Sequence, residues 1–244
     1  MIEKADIPAL IDFAANLPEA LMVLPYCRQH VAAARWQRRK HLDISKDISD
    51  GVMPGTIAHN RQETERGLFG SAHRTQRLLG PLSALDPVYG HADKLKALSI
   101  GPRTEMELLH LIGLGFKEEN IRGLDLISSS PWIDVGDMHA LPYPDQSFDV
   151  VISGWALAYS STPGKAIKEM VRVCKRGGLL AMGATYDPEY IRTKDDPENI
   201  VGTMFRHAAN FAQHFPAAST PIFWEEPATD DSKGPVLFIC RLTA

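Results

Sequence analysis

From residue 94 onward, short runs of consecutive apolar residues alternate with segments whose apolar residues recur every three or four positions. This is the pattern of a parallel sheet wrapped by helices. "KALSIG" predicts a first strand. In "RTEMELLHLIGLGF" the spacing of Met106, Leu108, Leu109 and Ile112 predicts a helix that Gly113 and Gly115 end. "NIRGLDLI" predicts the second strand, while "SFDVVISGWAL" and "GGLLAMGAT" are apolar nearly throughout, as central strands covered on both faces are. Between them, Thr162 is a candidate N-cap and Pro163 a first helical residue. Ala166, Ile167, Met170, Val171 and Cys174 form one apolar face, which Gly177 and Gly178 are expected to stop. "ENIVGTMFRHAANFAQHF" predicts a last helix. "PIFWEEP" and "GPVLFICRL" predict a closing antiparallel pair turned by Asp230, Asp231, Lys233 and Gly234.

Only Ser128 to Pro131 separate the second strand from "WIDVGD". A parallel crossover normally takes a dozen residues or more, so this third strand is expected to be reduced to a stub or absent. Residues 1–93 differ in texture. Helical runs at about 7–15 and 26–41 precede a stretch around "DGVMPGTIAHN" that is rich in turn formers. The chain therefore divides into a helical N-terminal cap or extension, 1–93, and an α/β domain, 94–244. The cluster Arg35, Arg38, Arg39 and Lys40 is read as a solvated helix face.

Composition narrows the function. A chain of 244 residues, 44% of them hydrophobic, can bury one substantial core, and a net charge of −4 gives no support to a nucleic-acid partner. Cys27, Cys174 and Cys240 are odd in number and far apart, without a CxxC pair. That argues against a disulfide framework or a zinc site and fits a reducing compartment. The start of the chain is acidic rather than basic-then-apolar, and no apolar run reaches bilayer length. The expected address is the cytoplasm, and the N-terminal segment is a candidate surface for a homodimer.

Candidate chemistry gathers where the loops of one sheet edge converge, because ligands in open α/β sheets bind at the carboxyl ends of the strands. Gly101 falls where the first strand turns into its helix. Asp125 ends the second strand, where a carboxylate can accept both hydroxyls of a ribose. Asp137 lies in the next loop, followed by apolar Met138 and Leu141, which could sandwich a flat ring. Asp149 begins its strand and is read as structural.

The segment "GDMHALPYPDQSFDVVISGWALAYSSTPGKAIKEMVRVCKRGGLLAMGA", residues 136–184, resembles the class I S-adenosylmethionine-dependent methyltransferases, particularly those acting on small molecules and lipids. With the first two strands the resemblance covers about residues 94–184. It implies a doubly wound, Rossmann-like, mostly parallel sheet with a C-terminal antiparallel strand, and S-adenosylmethionine as cofactor. Carried over by position, Gly101 matches the first glycine of the cofactor loop, with Pro102 beside it. Asp125 matches the ribose acid, next to Leu126, and Asp137 with Met138 the adenine contacts. Ser153, Gly154 and Trp155 would line the cofactor near the reacting methyl group.

Three positions depart from the family pattern: Ser99 replaces the acid of the first strand, and Arg103 and Glu105 replace the second and third loop glycines. S-adenosylmethionine carries a carboxylate, an ammonium and a sulfonium, so Arg103 and Glu105 could pair with opposite ends of that zwitterion. A dinucleotide would bring its pyrophosphate to the same loop, where Glu105 would repel it, which disfavours a nicotinamide oxidoreductase. A relative that has lost activity and serves as a binding or regulatory module is the other alternative. The expected reaction is methyl transfer to a small-molecule or lipid-like acceptor.

If the acceptor is a hydroxyl, a base is needed, and His139 and Tyr159 are the candidates. His207 and His214 share one face of the last predicted helix but lack a third ligand, so no metal is expected. Trp132 and Trp224 are read as core or loop anchors, and Trp36 as the aromatic to test for substrate contact.

Overall fold

The computed structural model describes residues 3–39, 41–67, 74–189, 205–215 and 219–243. The strands are β1 (Asp43–Ile44), β2 (Ala97–Ile100), β3 (Ile121–Asp125), β4 (Ile127–Ser128), β5 (Ile133–Val135), β6 (Phe148–Gly154), β7 (Cys174–Tyr186), β8 (Ser219–Glu225) and β9 (Gly234–Leu242). Seven form one sheet in the order β5-β3-β2-β6-β7-β9-β8, and β1 pairs with β4 outside it. From β5 to β7 the pairings are parallel, whereas β9 runs antiparallel to both β7 and β8.

The chain winds outward from β2 through β3 to β5, then returns to the other side of β2 to lay down β6. Such a reversal opens a crevice beyond the carboxyl ends of the strands on either side of it. Gly101 and Gly154 therefore face each other across the place where a ligand belongs.

The two faces of the sheet are covered by different layers, and the period of two along each strand sorts its residues between them. Leu98, Ile100, Val151, Leu180 and Met182 pack with helix α6 (Pro163–Val173), whose Ala166, Ile167 and Met170 are fully buried. Burial of each large side chain there contributes about 1.5–3 kcal/mol. Ala97, Val150, Ile152 and Leu179 face the other layer. That layer contains α4 (Arg74–Ser83) and α5 (Met106–Gly113). Ser99 shares the face of Ala97, so its hydroxyl points to α5.

β5 is three residues long, the stub that the short connection predicts. The seven intervening residues suffice because the chain leaves β3, pairs briefly through β4 with β1, and folds back without a helix. The closing hairpin also forms where the pattern places it.

Several local expectations need correction. Helix α6 ends at Val173, and β7 begins at Cys174 before the glycines are reached. Gly177 serves instead at a φ of +76° in the entry to that strand. The last helix, α7, is only Ala209–Ala212, and residues 198–204 of the segment predicted as helical lie outside the described residues. His207 therefore precedes α7, and the shared helical face with His214 does not exist.

N-terminal to the sheet are α1 (Ile7–Asn16), α2 (Pro25–Arg39) and α3 (Thr56–Gly67). The turn-rich stretch ends at Gly55, and "TIAHN" opens α3. Helix α3 has no apolar period to reveal it, and Gly80 and Pro81 hide α4, although Leu78, Leu79 and Leu82 are buried in the sheet layer. Trp224 is 60% exposed on the edge strand β8 and anchors no core.

Candidate active site

A cavity of about 270 Å³ lies at the crevice, close to the lower end of the range typical for small-molecule sites. Its floor is the loop after β2. Gly101 has a φ of +69°, and a Cβ there would collide with Ala156. Arg103 also adopts left-handed backbone, φ +58°, so the loop keeps a glycine-like course at a residue with a long side chain. That course aims the Arg103 N–H at Asp125, donating to Oδ2 at 2.8 Å. The Arg103 guanidinium donates from Nη2 to Asn60 Oδ1 at 3.3 Å, and its buried Nε has no hydrogen-bond partner among the described residues.

Gly101, Pro102, Arg103, Asp125, Leu126, Asp137, Met138, Gly154, Trp155 and Tyr159 all line this one cavity. Glu105, Ser153 and His139 do not. Glu105, expected beside a cofactor's ammonium, points the other way, toward α2. There it accepts hydrogen bonds from Arg35 at 2.7 Å, from Arg39 and from the Ser130 hydroxyl. Burial raises its carboxyl pKa, but hydrogen bonds from Arg35, Ser130 and Arg39 outweigh burial and hold it below the usual value. Arg35 also lies 4.4 Å over the Trp132 ring. Two members of the presumed solvated cluster, Arg35 and Arg39, thus bind a buried acid. Trp36 packs in the same α2–α5 layer, away from the cavity.

The acid that does enter the cavity is Glu107 in the first turn of α5. Its Oε1 accepts the Ser99 hydroxyl at 2.5 Å, and a Cβ on Gly154 would stand 2.8 Å from its Oε2. Glu107 therefore places a carboxylate between the ends of β2 and β6, where the first strand itself offers only Ser99. The available sequence signal is an acid embedded in a helix whose residues 107 to 111 are all buried.

Asp125 is 4% exposed, and its Oδ1 receives longer contacts from Ile127 N–H at 3.4 Å and Asn60 Nδ2 at 3.5 Å. Burial is the largest influence on it and lifts its carboxyl above the usual range, against the N–H groups of Arg103 and Ile127. Asp137 titrates in the opposite direction. Burial raises it, but the ring and N–H of His139 and the Ser49 N–H together carry it well below the ordinary carboxylate range.

His139 is spent on this task. Its Nδ1 meets Asp137 Oδ1 at 2.5 Å and its Nε2 meets Ser160 Oγ at 2.7 Å, with the ring fully buried. It ties the Asp137 loop to the segment after β6 and cannot reach a ligand as a base. Ser153, expected to line the cofactor, is buried on the face of β6 turned from the cavity, and its hydroxyl has no partner among the described residues. Asp149 accepts the Lys96 N–H and pairs with Lys175, both at 2.9 Å, as a structural residue does.

The N-terminal segment supplies wall residues that sequence reasoning missed: Val52, Thr56, Asn60, Glu63 and Thr75. Tyr159 completes that wall, and its hydroxyl lies 3.2 Å from His59 Nε2 on α3. Among the described residues no group of His, Cys, Asp and Glu could hold a metal ion.

This sheet order, with its crevice beyond β2 and β6, is that of the class I S-adenosylmethionine-dependent methyltransferases. Residues 107–182 match the family model of a methyltransferase domain. A Bacillus halodurans C-125 structure described as a methyltransferase shares the fold, with a TM-score of 0.51 at 13% identity over 68% of this chain and 97% of that one. In sequence the chain is 31% identical to the malonyl-[acyl-carrier protein] O-methyltransferase of Halorhodospira halophila, over 44% of this chain and 40% of the relative. It is 29% identical to the demethylmenaquinone methyltransferase of Listeria monocytogenes, over 62% of this chain and 64% of the relative. The chain thus spans less than two thirds of the length of either relative. Residues 107–182 are therefore similar to a methyltransferase domain, set in a sheet of the methyltransferase fold, and no described helix is long and apolar enough to cross a membrane.

Proposed function

We propose that the protein transfers a methyl group from S-adenosylmethionine to a small-molecule or lipid-like acceptor. The observation that carries this reading is the convergence of Glu107, Asp125, Asp137 and the Arg103 loop on one cavity at the switch point of the sheet. The donor set suits the cofactor. The buried Arg103 Nε offers an unused hydrogen bond to its carboxylate, and Glu107 offers a charge to its ammonium. Asp125 is placed for the ribose hydroxyls, and Asp137, held ionised, for an adenine amine. Glu107, in the first turn of α5, would repel a dinucleotide's pyrophosphate.

Bound here, S-adenosylmethionine supplies a methyl group already activated on a sulfonium. The chain's part is to hold an acceptor in line with it, which can supply much of the barrier reduction. For a hydroxyl acceptor, the Tyr159–His59 pair would take up the acceptor's proton. Residues 1–93 act as a cap, since Asn60 and Thr75 bring two of their helices to the cavity wall. The demethylmenaquinone and malonyl-carrier relatives support an acceptor that is small or lipid-like.

Calorimetric titration with S-adenosylmethionine tests the reading. Asp125→Ala removes the ribose acceptor, and affinity should fall by about 2–4 kcal/mol, two charge-assisted hydrogen bonds' worth. Absence of binding to the folded wild-type protein would overturn the proposal in favour of a scaffold that has lost its cofactor.

A further inference from the structure

Helix α1 is the one long apolar surface that the fold leaves uncovered among the described residues. None of its residues is buried. Of the twelve large apolar side chains that are exposed among the described residues, eight fall between Ile7 and Tyr26, with Ile11 64% and Leu17 54% exposed. They are not scattered. Ile7, Leu10, Ile11, Ala14 and Leu17 follow helical spacing and make one stripe. Asp12 and Asn16, joined by a hydrogen bond, mark the opposite, polar face. The described elements on which α1 packs to any extent are the short helical turns Lys4–Asp6 and Pro18–Val23 on either side of it.

No residue of the stripe lines the cavity. The backbone of Met22 and Val23 packs so tightly on Gly113 that a Cβ there would not fit. Gly113 is the last residue of α5, about 10 Å along that helix from its cavity-lining first turn. The acceptor and cofactor are therefore not its occupants. An anionic lipid surface is also a poor match. From residue 1 to 27 the only cation is Lys4, against Glu3, Asp6, Asp12 and Glu19, whereas helices that lie on such surfaces carry Lys and Arg on their polar face.

We propose that the α1 stripe is the interface of a two-fold dimer, and that its occupant is the same stripe of a second copy of this chain. An isologous contact needs a surface complementary to itself, and an apolar stripe with small Ala14 on it can lie close against its own copy. The area suffices. The four large side chains of the stripe, each exposing on the order of 100 Å², offer about 400 Å² per partner, and Phe13, Val23, Leu24 and Tyr26, exposed beside it, bring the apolar area to about 800 Å², that of a standard stable interface. The acidic residues stay on the far face and at the rim, in water. This inference does not depend on the methyl-transfer reading.

The test is the mass of the full chain by size-exclusion chromatography with light scattering, at 1–100 µM, with and without phosphatidylcholine vesicles. The wild type should run at twice the 27.0 kDa chain mass. Ile11→Glu, in the centre of the stripe, should give the single-chain mass with an unchanged circular dichroism spectrum. Asp12→Lys, on the polar face of the same helix, should remain dimeric. If Ile11→Glu does not fold, Leu10→Gln and Leu17→Gln together replace it, with the same expected loss of the dimer. A monomeric wild type would overturn the proposal, as would a wild type that stays monomeric and floats with the vesicles, or a dimer that Ile11→Glu leaves intact.

Discussion

Replacement of Glu105 by Ala separates the two roles that its position allows. In the structure its carboxylate is 5% exposed and holds Arg35, Arg39 and Ser130, with the guanidinium side chains 25% and 33% exposed. A hydrogen bond to a charged group contributes about 1.5–3 kcal/mol net, and partial exposure of both arginines reduces each such term. The alanine variant should therefore lose about 2–3 kcal/mol, or roughly 4–12 °C in Tm for a chain of this size. Its carboxyl pKa is lowered on folding. The stabilisation is accordingly present above the unfolded value, 4.5, and is lost as pH falls below it, so wild type and variant should converge in stability toward acid. Urea unfolding of wild type, Glu105→Ala, Arg35→Ala and the double variant measures the coupling directly. The same variants, titrated with S-adenosylmethionine, should bind within threefold of wild type. A stability loss below about 0.5 kcal/mol together with a tenfold loss of cofactor affinity would refute the structural reading and return Glu105 to the ligand site.

Two further expectations follow from buried groups. Burial first, and then the nearby Arg28 charge, lower the His110 pKa from 6.5 to about 3. The unfolded chain binds a proton there that the folded chain refuses, so stability should fall as pH drops from 6.5 toward 3, by on the order of 4 kcal/mol, and His110→Gln should flatten that slope in urea melts. Glu107→Gln keeps a partner for the Ser99 hydroxyl but removes the charge facing the cavity. It should weaken S-adenosylmethionine binding about tenfold to a hundredfold by calorimetry while shifting stability by less than about 1 kcal/mol.

Much of the sheet was legible because a strand covered on both faces must be apolar nearly throughout, and its glycines mark where chain must approach chain. Gly101, Asp125 and Asp137 could be placed near the site for the same reason: strand ends fix where backbone, and hence short side chains, must be. What the sequence could not convey is the direction of the longer charged side chains around a helix start. Glu105 and Glu107 are two residues apart, and two residues of α-helix rotate by about 200°. One acid is therefore turned to α2 and the other to the cavity, and composition treats them alike.

The N-terminal half was harder for a related reason. Helix α3 is polar along most of its length, and its value lies in Thr56, Asn60 and Glu63 reaching a wall built mainly by residues from Ile100 onward. Arg35 finds its partner 70 residues along the chain, so the spacing that identifies an amphipathic face gives no hint of it. A basic run on a helix is solvated by default, and the default fails here because Glu105, a buried carboxylate just before α5, must be neutralised by some cation and α2 carries Arg35 and Arg39 to it. The exposed stripe of α1 poses the same question with the sign reversed, since apolar area of that size is seldom left to water. The interior acid found its cover within the chain, and the stripe, which finds none among the described residues, is what the proposed second copy would cover.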